Sequence, residues 1–310
     1  MTCIEANGLT KEYGAVRAVD RVTFSVEPGR VTGFLGPNGA GKSTAMCLVL
    51  GLSRPTAGTA TVGGRPFAGL GQPLRHVGAL LDAQAAHGSR TARDHLLTLA
   101  AANRIPAARA GEALEETGLA GVARRRVRTF SLGMRQRLGI AAALLGDPGV
   151  LMLDEPSNGL DPEGIIWIRE LLRRLAAEGR TVLVSSHLMS ETASYADHLL
   201  VLGKGRLLAD SPMRAFIDAH VQPRVRLRST EPERLRSVLL RAGYEPELGE
   251  DGRMTVPGAR AARLGPLAAE ENLPVLELAN DEATLEEAYL ALTADETQFA
   301  AAPSVLAQEV

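Results

Sequence analysis

The sequence predicts an α/β protein built on parallel strands, followed by a smaller α+β unit. Three stretches carry this expectation. An apolar run, Val31 to Leu35, leads through a glycine-rich loop into an apolar helical segment that ends at Gly51. A second unbroken apolar run, Val150 to Leu153, stops at the carboxylates Asp154 and Glu155. A third, Thr181 to Val184, stops at Ser185, Ser186 and His187. Continuous apolar runs of this length read as buried parallel strands, and open sheets of this kind bind ligands at the strands' carboxyl ends.

Taken in order, Ile4 to Leu9 and Val22 to Val26 read as short strands around a turn-rich segment, Lys11-Glu12-Tyr13-Gly14. The ring of Tyr13 either stacks on a planar base or packs the sheet edge. After the strand at Val31 comes Gly36, Pro37, Asn38, Gly39, Ala40, Gly41, Lys42, Ser43 and Thr44. Strand, loop and helix in that order make a phosphate-binding P-loop. Its glycines let backbone N–H groups turn toward phosphate oxygens, and the helix amino end adds a favourable dipole. Lys42 supplies a compact positive charge, and the Ser43 hydroxyl is suited to Mg²⁺. The chain has only three lysines, Lys11, Lys42 and Lys204, and otherwise uses arginine. It therefore keeps lysine where a point charge is needed instead of a planar fork. The expected ligand is ATP.

Pro55 to Gly58 and Gly63-Gly64 punctuate a hairpin around Thr59 to Val62. Val77 to Leu81 is a further strand, followed by a polar loop from Asp82 to Arg90. Thr91 caps a helix bearing Leu96, Leu97, Leu99 and Ala100, and Pro106 opens another that runs toward Gly118. The cluster Arg124-Arg125-Arg126-Val127-Arg128 lacks interleaved aromatics and reads as a solvated face. Ser131 and Gly133 precede a helix expected from Leu138 to Leu145, making a second anion-binding amino end.

At the end of the strand Val150 to Leu153, Asp154 is placed to hold Mg²⁺ and Glu155 to polarise an attacking water. Asn158 to Asp161 forms a tight turn before a helix from Glu163 to Ala177, in which Trp167 is a packing residue. His187, at the neighbouring strand's end, is the one histidine with a catalytic context. Beyond Asp210, segments alternate between strand-like and helix-like patterns. They read as a small α+β unit over residues 213–295, after a larger one over 1–212. The alanine-rich residues 296–310 read as a flexible tail.

The bulk numbers narrow the function classes. A net charge of -2 offers no electrostatic footprint for nucleic acid. Two cysteines are too few for a disulfide framework, which points to a reducing cytoplasm. No signal peptide is visible, and no apolar run approaches the roughly 20 residues that a membrane span needs. If the protein works at a membrane, a separate chain does the spanning.

Together these motifs resemble the ATPase subunits of ABC transporters, over roughly residues 4 to 210. The Gly36–Thr44 loop is similar to their Walker A, Phe130 to Met134 to their signature, and Leu151 to Pro156 to Walker B. Asn158 to Asp161 is similar to their D-loop, and His187 to the switch histidine. The signature form, with the segment Leu285-Glu286-Glu287-Ala288-Tyr289-Leu290, resembles the bacterial branch serving type-2 exporters of drugs, antibiotics, lipids and polysaccharides. The resemblance implies a mixed-sheet core with an antiparallel β subdomain and a helical subdomain. It further implies a separate transmembrane permease, peripheral placement on the cytoplasmic side of the membrane, and a head-to-tail dimer of two copies. In that dimer Ser131 and Gly133 would grip the γ-phosphate on the other chain, with Tyr13 on the adenine and Glu155, His187 and Lys42 serving hydrolysis. Leu132 and Met134 depart from the signature pattern, and Asp82 stands at the usual glutamine position. Asp82 either reaches Mg²⁺ through a water once the dimer closes, or caps the helix near Thr91 or faces solvent. The rival reading is a soluble ABC-type ATPase of translation or DNA repair. The single P-loop and the absence of sustained heptads weigh against it.

Overall fold

The computed structural model describes residues 3–249 and 252–293. The chain divides into two compact units, Met1–Met213 and Arg214–Val310. The expected tail, 296–310, lies outside the described residues.

In the larger unit, β1 (Ile4–Tyr13) and β2 (Val16–Val26) form a hairpin. Tyr13 pairs with Val16 around Gly14, whose φ of 59° suits a tight turn. The strands are therefore longer than the sequence led us to expect. Residues Lys11 to Tyr13 continue β1 because the turn needs only two residues. β3 (Val31–Leu35) is buried throughout, as a central parallel strand must be, and feeds α1 (Lys42–Val49). β4 (Ala57–Val62) pairs with β1, completing a three-stranded antiparallel sheet.

β5 (Val77–Leu80) precedes α2 (Ala92–Ala102) and α3 (Ala108–Glu116). The Thr91 side chain caps α2 by accepting the Asp94 N–H at 3.1 Å. Next come α4 (Leu132–Leu144), β6 (Val150–Asp154) and α5 (Pro162–Ala177). β7 (Thr181–Ser186), α6 (Met189–Tyr195), β8 (His198–Gly203) and β9 (Arg206–Pro212) close the unit. A six-stranded mixed sheet runs β5-β6-β7-β3-β8-β9, with only the β8–β9 pair antiparallel. The carboxyl ends of β3, β6 and β7 therefore lie side by side at one edge.

α4 corrects one expectation. It starts directly after Ser131, whose hydroxyl accepts the Met134 N–H at 3.2 Å, so Gly133 lies within its first turn instead of ahead of the helix. The cap fixes that start, at about 1 kcal/mol. α4 then lies close against β5. A Cβ on Gly78 would stand 2.0 Å from the Ala143 carbonyl oxygen, and one on Gly139 would stand 2.5 Å from the Leu80 side chain. Trp167 packs as expected, with the Arg137 guanidinium 4.4 Å from its ring centre and its indole N–H on the Glu116 carbonyl at 3.3 Å.

α7 (Met213–His220) begins at the boundary between the units. The smaller unit then runs β10 (Arg224–Ser229), α8 (Pro232–Arg241), β11 (Glu247–Leu248), β12 (Met254–Pro257), α9 (Ala261–Glu270), β13 (Val275–Asp281) and α10 (Leu285–Thr293). Its sheet order, β11-β12-β10-β13 with every pair antiparallel, is that of a split βαβ fold. Val225, Leu227, Met254 and Val256 face Leu235, Val238, Leu239 and Leu264 in its core. Among the described residues no helix is long and apolar enough to cross a membrane.

The close approach of α4 to β5 gives a stability prediction. Gly78→Ala forces a methyl against a backbone carbonyl that cannot step aside, and should cost ~2 kcal/mol or more. Thermal unfolding should then shift down by about 5 °C or more. An unchanged midpoint would mean that α4 is not seated this way.

Candidate active site

The carboxyl end of β3 opens into the glycine-rich loop, and the loop wraps one wall of a cavity of about 380 Å³. Tyr13, Ala18, the loop residues Pro37 to Thr44, Asp154 and Glu155 line it. The glycines are demanded by geometry. Gly41 has a φ of 103°, and a Cβ there would lie 2.4 Å from the Ala18 carbonyl oxygen. A Cβ on Gly36 would lie 2.5 Å from the Leu202 carbonyl oxygen. α1 receives no side-chain cap at its amino end, so the N–H groups of its first turn remain available to an anion.

Lys42 is the first residue of that helix and is only 7% exposed. Its ammonium donates to the Gly36 carbonyl at 2.7 Å and lies 4.0 Å from Glu155 Oε1. Burial pulls its pKa down, against the opposing pull of Glu155 and Asp154. Such a group gains from a further anion in the cavity.

The two carboxylates at the end of β6 are held by β7. Ser185, fully buried, donates its hydroxyl to Asp154 Oδ1 and accepts the Glu155 N–H at 3.1 Å. The Glu155 N–H also reaches the Ser185 carbonyl at 3.2 Å. Glu155 has a φ of 50°, a left-handed conformation that a residue other than glycine adopts only when its surroundings impose it. His187 Nδ1 lies 2.7 Å from Glu155 Oε2. With its proton on Nδ1, the His187 ring donates to this carboxylate oxygen. The buried Gln136 of α4 donates to the Glu155 carbonyl at 2.9 Å.

Tyr13 is 52% exposed at the cavity mouth, and the Lys11 ammonium stands 4.8 Å from its ring centre. Lys11 is itself anchored on the Arg54 carbonyl at 2.8 Å. This arrangement supports the base-stacking alternative, because the ring is held from one side and open on another. Ser43 and Asp154 line the same cavity and offer the hard oxygen donors that Mg²⁺ prefers.

Ser131 and Gly133 do not line this cavity. They sit at the amino end of α4, where a Cβ on Gly133 would be 2.6 Å from the Gly159 carbonyl oxygen. The turn beside them is closed by Asp161, which caps α5 at the Gly164 N–H, 2.9 Å away. Asp82 is exposed and closes its own local turn by accepting the Gln84 N–H at 2.7 Å. The helix cap belongs to Thr91 and not to Asp82.

Residues 19–158 match the family described as "ABC transporter", and residues 223–286 match a domain of unknown function (DUF8746). The bacitracin transport ATP-binding protein of Bacillus licheniformis is 36% identical over 94% of this chain and 97% of its own length. The chain belongs to the ABC transporter ATPases. The Nod factor export ATP-binding protein I of Burkholderia orbicola is 34% identical over 95% of this chain and 98% of its own. A solved ATP-binding subunit of an ABC transporter superposes with a TM-score of 0.64, at 29% identity, covering 69% of this chain and 91% of that one.

Within this ABC ATPase the sequence reading missed Ser185, Gln136 and Lys11 as members of the site. In the sequence Ser185 only ends a strand, and its partners Asp154 and Glu155 meet it once β6 and β7 pair. Ser185→Ala should leave ATP affinity within about threefold while lowering turnover ~10-fold, because both carboxylates lose one restraint. Titrating Mg²⁺ against initial rate checks this, with a raised Mg²⁺ requirement expected. An unchanged rate and Mg²⁺ curve would remove Ser185 from the site.

Proposed function

We propose that this chain is the ATP-hydrolysing subunit of a bacterial exporter, acting with a separate transmembrane permease on the cytoplasmic face of the membrane. The observation that carries the hydrolytic half is the placement of Glu155. It lies 4.0 Å from Lys42 and 2.7 Å from His187 at the wall of the glycine-loop cavity. The export half rests on relatives aligned over both units, whose names give bacitracin transport and Nod factor export. With the exporter branch that the motifs resemble, the expected cargo is an antibiotic, drug, lipid or polysaccharide.

In this reading, Tyr13 stacks the adenine. The uncapped N–H groups of α1 and the Lys42 ammonium hold the β- and γ-phosphates and stabilise charge as it spreads on the transferred group. Ser43 and Asp154 hold Mg²⁺, which neutralises phosphate charge when bound. Glu155 orients the attacking water, and His187 fixes the Glu155 carboxylate through Nδ1. Ser131 and Gly133, outside the cavity of their own chain, complete the γ-phosphate site of a second copy arranged head to tail. The same helix-end chemistry, a capping hydroxyl and free N–H groups, suits that task. Asp82, turned into its local loop, is left out of the metal site.

Glu155→Gln should retain ATP and lose ~10²–10³-fold in turnover, since one positioned group contributes at that scale. With MgATP it should accumulate as a dimer on sizing chromatography, whereas Lys42→Ala should lose ATP binding altogether. Near-normal turnover of Glu155→Gln would contradict the assignment.

A further inference from the structure

Gln136 is a polar side chain, 3% exposed, in the second turn of α4. Its Nε2 donates to the Glu155 carbonyl at 2.9 Å. That carbonyl already accepts the Asn158 N–H at 3.2 Å, so it keeps a partner without Gln136. Satisfying a backbone oxygen does not account for ordering and desolvating an amide here. What Gln136 adds is direction. It holds the peptide that follows the left-handed Glu155, while the Ser185 main chain and hydroxyl hold the N–H of the peptide before it.

The other end of this link is the amino end of α4. Ser131 caps the helix and Gln136 lies five positions further on, so both belong to its first turns. α4 has little freedom to bend between them and β5. Gly139 admits the Leu80 side chain and Gly78 admits the Ala143 carbonyl at distances that leave no room for a Cβ. Gly133 meets the Gly159 carbonyl in the same close manner. Ser131 and Gln136 are separated by little more than one helical turn, so a force on the Ser131 end reaches the Glu155 peptide through that turn.

We propose that Gln136 is a positioning residue that makes the aim of Glu155 depend on whether the α4 amino end of the same chain is seated on nucleotide. The inference rests on the two-chain reading above, in which that helix end meets the nucleotide held by the partner copy. Seating at one site then sets the Glu155 carboxylate at the other, and the two sites hydrolyse cooperatively. A displacement of the order of 1 Å at a water-orienting group costs ~10²-fold in rate, so a small helix shift suffices.

The test uses Gln136→Met, which keeps length and volume and removes the donor, with Gln136→Leu as a second variant. In the Glu155→Gln background, either substitution should leave the MgATP-driven dimer intact, which shows that the fold and nucleotide site survive. In the otherwise native chain, kcat should fall ~10- to 100-fold with KM for ATP within twofold, and the Hill coefficient should fall from above 1 to 1. A residue that merely supports the fold would lower the thermal midpoint without this kcat-only loss and without abolishing cooperativity. Unchanged kcat and Hill coefficient, with the dimer trap intact, overturn the proposal. A Glu155→Gln chain that never dimerises with MgATP instead overturns the two-chain reading itself, before Gln136 is varied.

Discussion

The Lys42 ammonium, 7% exposed at the start of α1, is the constraint around which the larger unit is arranged. A charge taken that far out of water needs partners, or its proton becomes costly. Loop carbonyls at Gly36 and Pro37 and the Glu155 carboxylate supply them. Those partners can surround it only if the loop passes close against Leu202 and Ala18, and Gly36 and Gly41 permit that passage. They also require β6 to end beside β3, which the order β6-β7-β3 arranges with only one strand between them. The buried lysine, the glycines and the sheet order are thus one requirement expressed at three levels.

A second constraint follows at the end of β6. Glu155 turns left-handed straight after a buried strand, a conformation costing of the order of 1–2 kcal/mol for a residue with a Cβ. Bonds from β7 through Ser185 and from α4 through Gln136 hold it there. The turn leaves the carboxylate between Lys42 and His187 instead of in the core. Strain at this residue is the local cost of presenting an acid at a sheet edge, and elements distant in sequence maintain it.

Much of this was legible in the sequence. The buried strands at Val31, Val150 and Thr181 announced themselves by unbroken apolar runs, and the loop at Gly36–Thr44 by its glycines and its single lysine. The caps at Thr91 and Ser131 were also legible, because a hydroxyl ahead of a helical pattern has a local meaning. Three features were not. The length of β1 depended on how tightly Gly14 turns, and the start of α4 on whether Gly133 could enter its first turn. β11 is only two residues long and is defined by its pairing to β12, not by any pattern of its own. The roles of Gln136 and Ser185 arise from partners 19 and 30 or more residues away, and nothing in their neighbours marks them.

In the proposed assembly, nucleotide on the loop of one chain is completed by the α4 amino end of another. Hydrogen exchange of the Glu155→Gln chain with MgATP, followed across a range of protein concentrations, tests it most directly. Amides in 36–44 should gain protection at every concentration. Those in 130–136 should gain it only as concentration rises, because a second chain must arrive. If 36–44 becomes protected while 130–136 exchanges as freely as before at all concentrations, the site is complete within one chain and the two-chain assembly is excluded.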